Sequence, residues 1–275
     1  MKKNQMKKFR KGERNALGMT ADQSSVIRNT AWEKSSRWYD KLVGEGGHYY
    51  HEHVILPAVL AIFKLQNGDS VLDIGSGQGV LARILPRGIS YVGVDASLSL
   101  TKVASAKNKN PEHRYVCADA GKTLPVAKKD FTHAAIILAL QNMENPGSVL
   151  KNTAVHLKGG AKLVIVLNHP AFRIPRQSGW DVNPKNNIQY RWINRYLSPM
   201  KIPLNMHPGK SNTELTWSFH EPISAYAKFL KEAGFVIENI EEWSSDKTST
   251  SREKKREDRA RAEIPLFMCV VAIKK

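Results

Sequence analysis

The stretch Val71-Leu72-Asp73-Ile74-Gly75-Ser76-Gly77-Gln78-Gly79 decides how this chain folds. A short apolar strand ends in an acid. The glycines that follow let the backbone turn tightly and approach a ligand before the next element begins. Two common nucleotide-binding patterns are excluded here. A dinucleotide fingerprint needs a third glycine where Val80 stands, and a P-loop ending in Gly121-Lys122-Thr123 would need glycine at Val116. An acid inside the turn would also repel a pyrophosphate, whereas it suits a cationic amine.

Working outward, Tyr91-Val92-Gly93-Val94-Asp95 is a second strand ending in an acid, 22 residues on. A carboxylate there can accept both hydroxyls of a ribose. Val116-Cys117-Ala118-Asp119-Ala120 is a third, placed to reach the exocyclic amine of an adenine. Each aspartate alone could simply cap the next helix. Three in succession, together with the glycines, converge on the crevice where open α/β sheets bind ligands.

The surrounding pattern predicts strands over 70–74, 90–94, 114–117, 131–140 and 162–167. Helices are expected over 80–85, 98–106 and 148–157. Such alternation means right-handed crossovers and a parallel sheet with helices on both faces. Two helical stretches, 21–43 and 51–65, precede it. A long proline- and aromatic-rich segment, 169–219, interrupts it and is expected to be irregular. A helix over 222–233, a strand over 235–243, a charged helix near 252–261 and a strand over 266–273 follow, the strands as an antiparallel addition. The expected fold is α/β, a Rossmann-like seven-stranded mostly parallel sheet with an antiparallel last strand. The expected organisation is a basic disordered tail (1–20), N-terminal lid helices (21–66) and a core (67–275) with the insertion after its fifth strand.

Asp73–Gly79, Val94-Asp95 and Ala118-Asp119-Ala120 resemble the motifs of class I S-adenosylmethionine-dependent methyltransferases. The resemblance covers about residues 32–275. Leu167-Asn168-His169-Pro170, Phe219-His220-Glu221-Pro222 and Ala233-Gly234-Phe235 are similar to a bacterial branch credited with small-molecule methylation. The resemblance implies S-adenosylmethionine as cofactor. It implies Asp73 near the methionine amino end with Gly75, Ser76 and Gly77, Asp95 and Ala96 at the ribose, Asp119 and Ala120 at the adenine, and Leu138 at the sulfonium. Gln141-Asn142 departs from the aromatic or histidine pair common in the family after the fourth strand.

Methyl transfer is an in-line displacement, so positioning and desolvation supply much of the catalysis. A hydroxyl acceptor additionally needs a base, for which His169 and His220 are the candidates; both could instead be structural groups beside prolines. Tyr39 and Tyr50 are expected to close over the cofactor, with His51 facing the acceptor. Arg173, Arg176 and Trp180, from an insertion that interleaves arginines and aromatics, are candidates to hold a planar or anionic acceptor. His48, His51 and His53 do not share one helical face, and no metal site is expected.

Of the 275 residues, 42 are Lys or Arg and 25 Asp or Glu, a net charge of +17. That balance points to an anionic partner. Seven basic residues lie within 1–14, so the tail suits either nucleic acid or mere solubility. Two cysteines in apolar surroundings suggest a reducing, cytoplasmic setting, and no apolar run is long enough to cross a membrane. Asn168-His169-Pro170-Ala171-Phe172 is similar to the adenine N6-methyltransferase motif but stands after the wrong strand. A small-molecule acceptor is the preferred reading, and an RNA acceptor using the tail and insertion is the alternative.

Overall fold

In the computed structural model, which describes Glu33, residues 48–205 and residues 215–275, the run Ser70–Ile74 forms β1 and is buried throughout. Its side chains alternate between two cores. Val71 packs with Val59, Phe63 and Tyr91 on one face, and Leu72 and Ile74 with Phe131, Leu150 and Leu230 on the other. Burial on both faces is why the strand reads as an apolar run rather than an alternation.

β1 lies between β2 (Ser90–Asp95) and β4 (Phe131–Ile137), parallel to both. β3 (His113–Cys117) extends the sheet beyond β2, and β5 (Leu157–Asn168) extends it beyond β4. β11 (Phe267–Lys274) then runs antiparallel to β5, and β10 (Phe235–Trp243) antiparallel to β11, completing a seven-stranded sheet. Chain order reverses between β1 and β4, which puts a crevice beyond their C-terminal ends. Helix α1 (Leu56–Phe63) covers one face, while α3 (Pro146–Val155) and α4 (Ile223–Glu232) cover the other; α2 (Leu98–Lys107) follows β2. Gly234, at φ 81°, closes α4. α5 (Lys254–Glu263) is the exposed charged helix, with Arg261 paired to Glu257 at 3.6 Å and Asp258 at 3.1 Å.

The structure differs from expectation in three places. The helix after the glycine turn is one 3₁₀ turn, Leu81–Ile84; Leu85 precedes Pro86 and takes an extended conformation, which ends it. The fourth strand stops at Ile137, and Leu140–Asn142 is another 3₁₀ turn. The insertion is not irregular: it contains one hairpin of β6 (Ser178–Asn183) and β7 (Ile188–Ile193), and an antiparallel pair of β8 (Met200–Asn205) and β9 (Leu215–His220). The tail, the helical stretch 21–43 and Tyr39 lie outside the described residues, Glu33 excepted. Residues 51–63 begin as a π-helical turn, His51–Ile55, before α1. Among the described residues no helix is long and apolar enough to cross a membrane, and no cluster of metal-ligating side chains occurs.

Candidate active site

The glycine turn is fixed by the sheet. Gly75 N–H and Ser76 N–H donate to Val94 O at 2.7 and 3.1 Å, and Gly75, Gly77 and Gly79 all have positive φ (73°, 55° and 74°). A side chain at Gly75 would also run into Ala139 Cβ, so glycine is required there on two counts.

Asp73 closes β1 and is 3% exposed. Burial pushes its carboxyl up to about 7; the Tyr91 hydroxyl, donating at 2.7 Å, holds it down, and Asp95 pushes it up further. Gly93 stands opposite Asp73 in the β1–β2 register, and a Cβ there would meet both the Tyr91 hydroxyl and Ser76 Oγ at 2.8 Å. The missing side chain makes room for this hydrogen bond. The Tyr91–Asp73 contact escaped the sequence reading, although the Tyr-Val-Gly spacing carries its signal.

Asp95 does two jobs. Its oxygens accept Gly77 N–H at 2.8 Å and Ser97 N–H at 2.9 Å, which ties the glycine turn to the loop before α2. A carboxylate has about four acceptor positions, so capacity remains for a ligand. Ser97, not Asp95, caps α2, accepting Leu100 N–H at 3.2 Å. Glu33 reinforces that end, accepting from Ser97 Oγ, Ser99 N–H and Ser99 Oγ at 2.6, 3.1 and 2.5 Å. Ala96 accepts from Cys117 Sγ at 3.6 Å. Asp119 follows β3 and accepts Gly121 N–H at 2.9 Å, with Ala120 buried beside it. The structure thus brings Asp73, the glycine turn, Asp95, Ala96, Asp119 and Ala120 to one end of the sheet.

Leu138, just beyond β4, is held at φ 52°. Its carbonyl accepts both the Gln141 amide at 3.1 Å and the Asn142 amide at 3.2 Å. The pair that departs from the family pattern therefore clamps the strained residue beside the glycine turn. The Gln141 Oε1 is buried with no donor among the described residues.

That side chain lines a small cavity of about 30 Å³, with Arg173, Phe219, His220, Glu221 and Tyr226. His220 Nε2 lies 2.7 Å from the Tyr196 carbonyl, so it carries the proton and leaves Nδ1 as an acceptor. His169 is different. Its Nε2 donates to Glu242 Oε1 at 2.6 Å, while Nδ1 accepts Ala171 N–H at 3.2 Å and Phe172 N–H at 3.4 Å. Burial pushes its pKa down and Glu242 pulls it back up, the net being a lowering. Both nitrogens are engaged in this structure, and His169 pins the chain leaving β5.

The acceptor candidates divide. Arg173 lines the cavity; Arg176 lines a neighbouring pocket between β6–β7 and β8–β9. Trp180 lies on β6 under the Arg191 guanidinium, 5.2 Å from the ring centre, and is not among the cavity-lining residues. Arg191, donating to Phe172 O, is pushed down to about 10 by burial and by Arg173. Tyr50 bonds Ser245 at 3.0 Å, and His51 Nδ1 is buried without a partner among the described residues, burial lowering its pKa to about 4 with help from His48.

Residues 72–165 match the model of a methyltransferase domain family. The chain is 28% identical, over 75% of its length and 76% of the relative's, to a malonyl-[acyl-carrier protein] O-methyltransferase of Marinomonas sp.. It is 32% identical, over 61% of its length and 66% of the relative's, to a demethylmenaquinone methyltransferase of Tropheryma whipplei. Among solved structures, an S-adenosylmethionine-dependent methyltransferase from Mesorhizobium loti superposes with a TM-score of 0.63 at 25% identity, over 79% of this chain and 96% of that one. With the switch-point crevice, the glycine turn and this sheet order, the chain belongs to the class I methyltransferases that use S-adenosylmethionine as methyl donor.

Proposed function

We propose that this protein methylates a small, anionic or planar organic acceptor bound at the mouth of the cavity of Gln141, Arg173, His220 and Tyr226. The observation that carries the reading is His220 in the lining of that cavity, its Nε2 engaged by Tyr196 O and its Nδ1 without a hydrogen bond among the described residues. The relatives' names, a malonyl-[acyl-carrier protein] and a demethylmenaquinone methyltransferase, support an organic acceptor over RNA.

When bound, S-adenosylmethionine supplies an electrophilic methyl group on a sulfonium. Gly75, Ser76 and Gly77 would cradle the cofactor, Asp73 would receive its ammonium, Asp95 and Ala96 its ribose, and Asp119 and Ala120 its adenine. Leu138 would line the sulfonium region, and Tyr50 would close over the cofactor. Arg173 holds the acceptor's anionic or π face, and His220 Nδ1 takes the proton of a hydroxyl as its oxygen attacks. Closure excludes the water that would compete.

Calorimetry with S-adenosylhomocysteine tests the cofactor half, with micromolar binding expected. Methyl incorporation from labelled donor into a panel of small carboxylates and phenols tests the acceptor half, and into total RNA the alternative. His220→Ala is expected to slow transfer about 100-fold or more; an undiminished rate removes the base.

A further inference from the structure

Two arginines, Arg176 and Arg195, lie just beyond the open end of the first hairpin and line one pocket. The β6–β7 ladder pairs Ser178 with Ile193. It continues one step, Asn194 N–H donating to Gln177 O at 2.8 Å and the Asn194 amide to Gln177 Oε1 at 3.0 Å. The next residues in that register are Arg176 and Arg195. Like charges lining one pocket repel each other, weakly where, as here, both residues are exposed.

Both arginines also have left-handed backbones, φ 60° and 54°. A residue with a Cβ adopts that conformation at a cost that glycine avoids. Arg176 is the third residue of a turn closed by Gln177 N–H donating to Ile174 O at 3.1 Å. Proline in second place and a left-handed third residue make this a type II turn, where glycine or asparagine is usual.

No acid repays either cost: among the described residues, no salt bridge or side-chain hydrogen bond engages either guanidinium. The third cation of the pocket, Lys201, is already paired with Glu144 at 2.9 Å and lies over the Trp217 ring. Arg176 and Arg195 therefore leave two uncompensated positive charges in one pocket, flanked by Pro199 and Met200.

We propose that this pocket is an anion site, in which the paired forks of Arg176 and Arg195 hold a phosphoryl group. It lies against the acceptor cavity: Pro175 lines the cavity and Arg176 the pocket, and Met200 pairs with the cavity's His220. The phosphoryl group arrives either on the far end of the acceptor or as a free anion. The site itself does not rest on methyl transfer.

The test is calorimetry with inorganic pyrophosphate at 150 mM salt on the full chain and on Arg176→Gly/Arg195→Gly. The basic N-terminal residues are common to both, so their affinity for anions cancels. Pyrophosphate is expected to bind the double variant at least tenfold more weakly. Without anion, the variant is expected to melt at the same or a higher temperature, because glycine removes both the backbone cost and the repulsion. Equal affinity for the two proteins, or a variant melting several degrees lower, overturns the proposal. A second arm compares 2-naphthyl phosphate and pyrophosphate on Gln141→Ala. Loss of ester affinity alone places the anion on the acceptor, whereas affinity retained for both assigns a free anion. S-adenosylhomocysteine binding, measured in parallel, reports on the methyl-transfer reading separately.

Discussion

Asp73 is the residue whose chemistry most depends on its surroundings. Its carboxyl, raised to about 7 by burial, holds a proton in the folded chain that the unfolded chain releases above its ordinary 3.8. Stability from this group is therefore highest in acid, falls as pH rises from about 4 to 7, and is level above. An ammonium placed beside it favours the ionised form. S-adenosylhomocysteine should then bind more tightly as pH rises from 6 toward 7.5, by up to about tenfold per unit, with proton release seen by calorimetry in two buffers. Tyr91→Phe removes the hydrogen bond that restrains the pKa, so the rise should move to higher pH; a profile unchanged in that variant would separate Asp73 from the amine. The two histidines make a second contrast. His169→Ala should destabilise the fold by about 1–3 kcal/mol, seen by chemical denaturation, and leave methyl transfer per folded molecule near the parent's. His220→Ala should do the reverse. Both histidines looked alike as candidates in the sequence, His169 just after the fifth strand and His220 at the close of the insertion, each near a proline. What distinguishes them is the partner each nitrogen finds across 73 residues in one case and 24 in the other, which no local pattern encodes.

At the level of elements, β1 was the most legible of the parallel strands because it is buried on both faces and reads as an apolar run, whereas β3 has no fully buried residue. β7 was not legible, because Tyr190 and Trp192 remain about 42% exposed on a two-stranded ribbon with no buried face to impose alternation. The 3₁₀ turn at Leu81–Ile84 followed from Pro86, a stop signal visible in the sequence but outweighed by the expectation of a helix after a glycine turn. The clamp on Leu138 was the least legible of all. Gln141 and Asn142 looked like a lost motif, and their role depends on a strained carbonyl that only the folded chain presents. The glycine turn itself admits a sharp test. Gly75→Ala meets Ala139 Cβ and a φ of 73°, and should cost about 2–4 kcal/mol by denaturation while abolishing S-adenosylhomocysteine binding. Gly159→Ala, where a Cβ meets nothing within 4 Å, is the control and should leave both nearly unchanged.

Across the whole molecule, the end of β10 ties together two segments that flank the crevice. Glu242, within β10, holds His169 at the start of the insertion. The loop just beyond holds the N-terminal segment: Tyr49 donates to Asp246 at 2.9 Å, Tyr50 bonds Ser245 at 3.0 Å, and Lys247 lies over the Tyr49 ring at 4.1 Å. The Tyr49 contact is exposed and the Tyr50 one half-buried, so the start of the segment should open at lower cost than the sheet beneath, while Ile55, fully buried, holds its other end. A cofactor bound against the glycine turn and under Tyr50 gives the closed form an added stabilisation that the open form lacks. Hydrogen exchange with and without S-adenosylhomocysteine should therefore show slowed exchange in 48–55 and 243–249 together with 73–79. Asp246→Ala with Lys247→Ala should quicken exchange in 48–55 in the free protein and weaken cofactor binding a few-fold, since the bound state must then order a looser segment. Protection confined to 73–121, with 48–55 unmoved, would show that the N-terminal segment is fixed scaffolding, and Tyr50 would lose its part in closing the site.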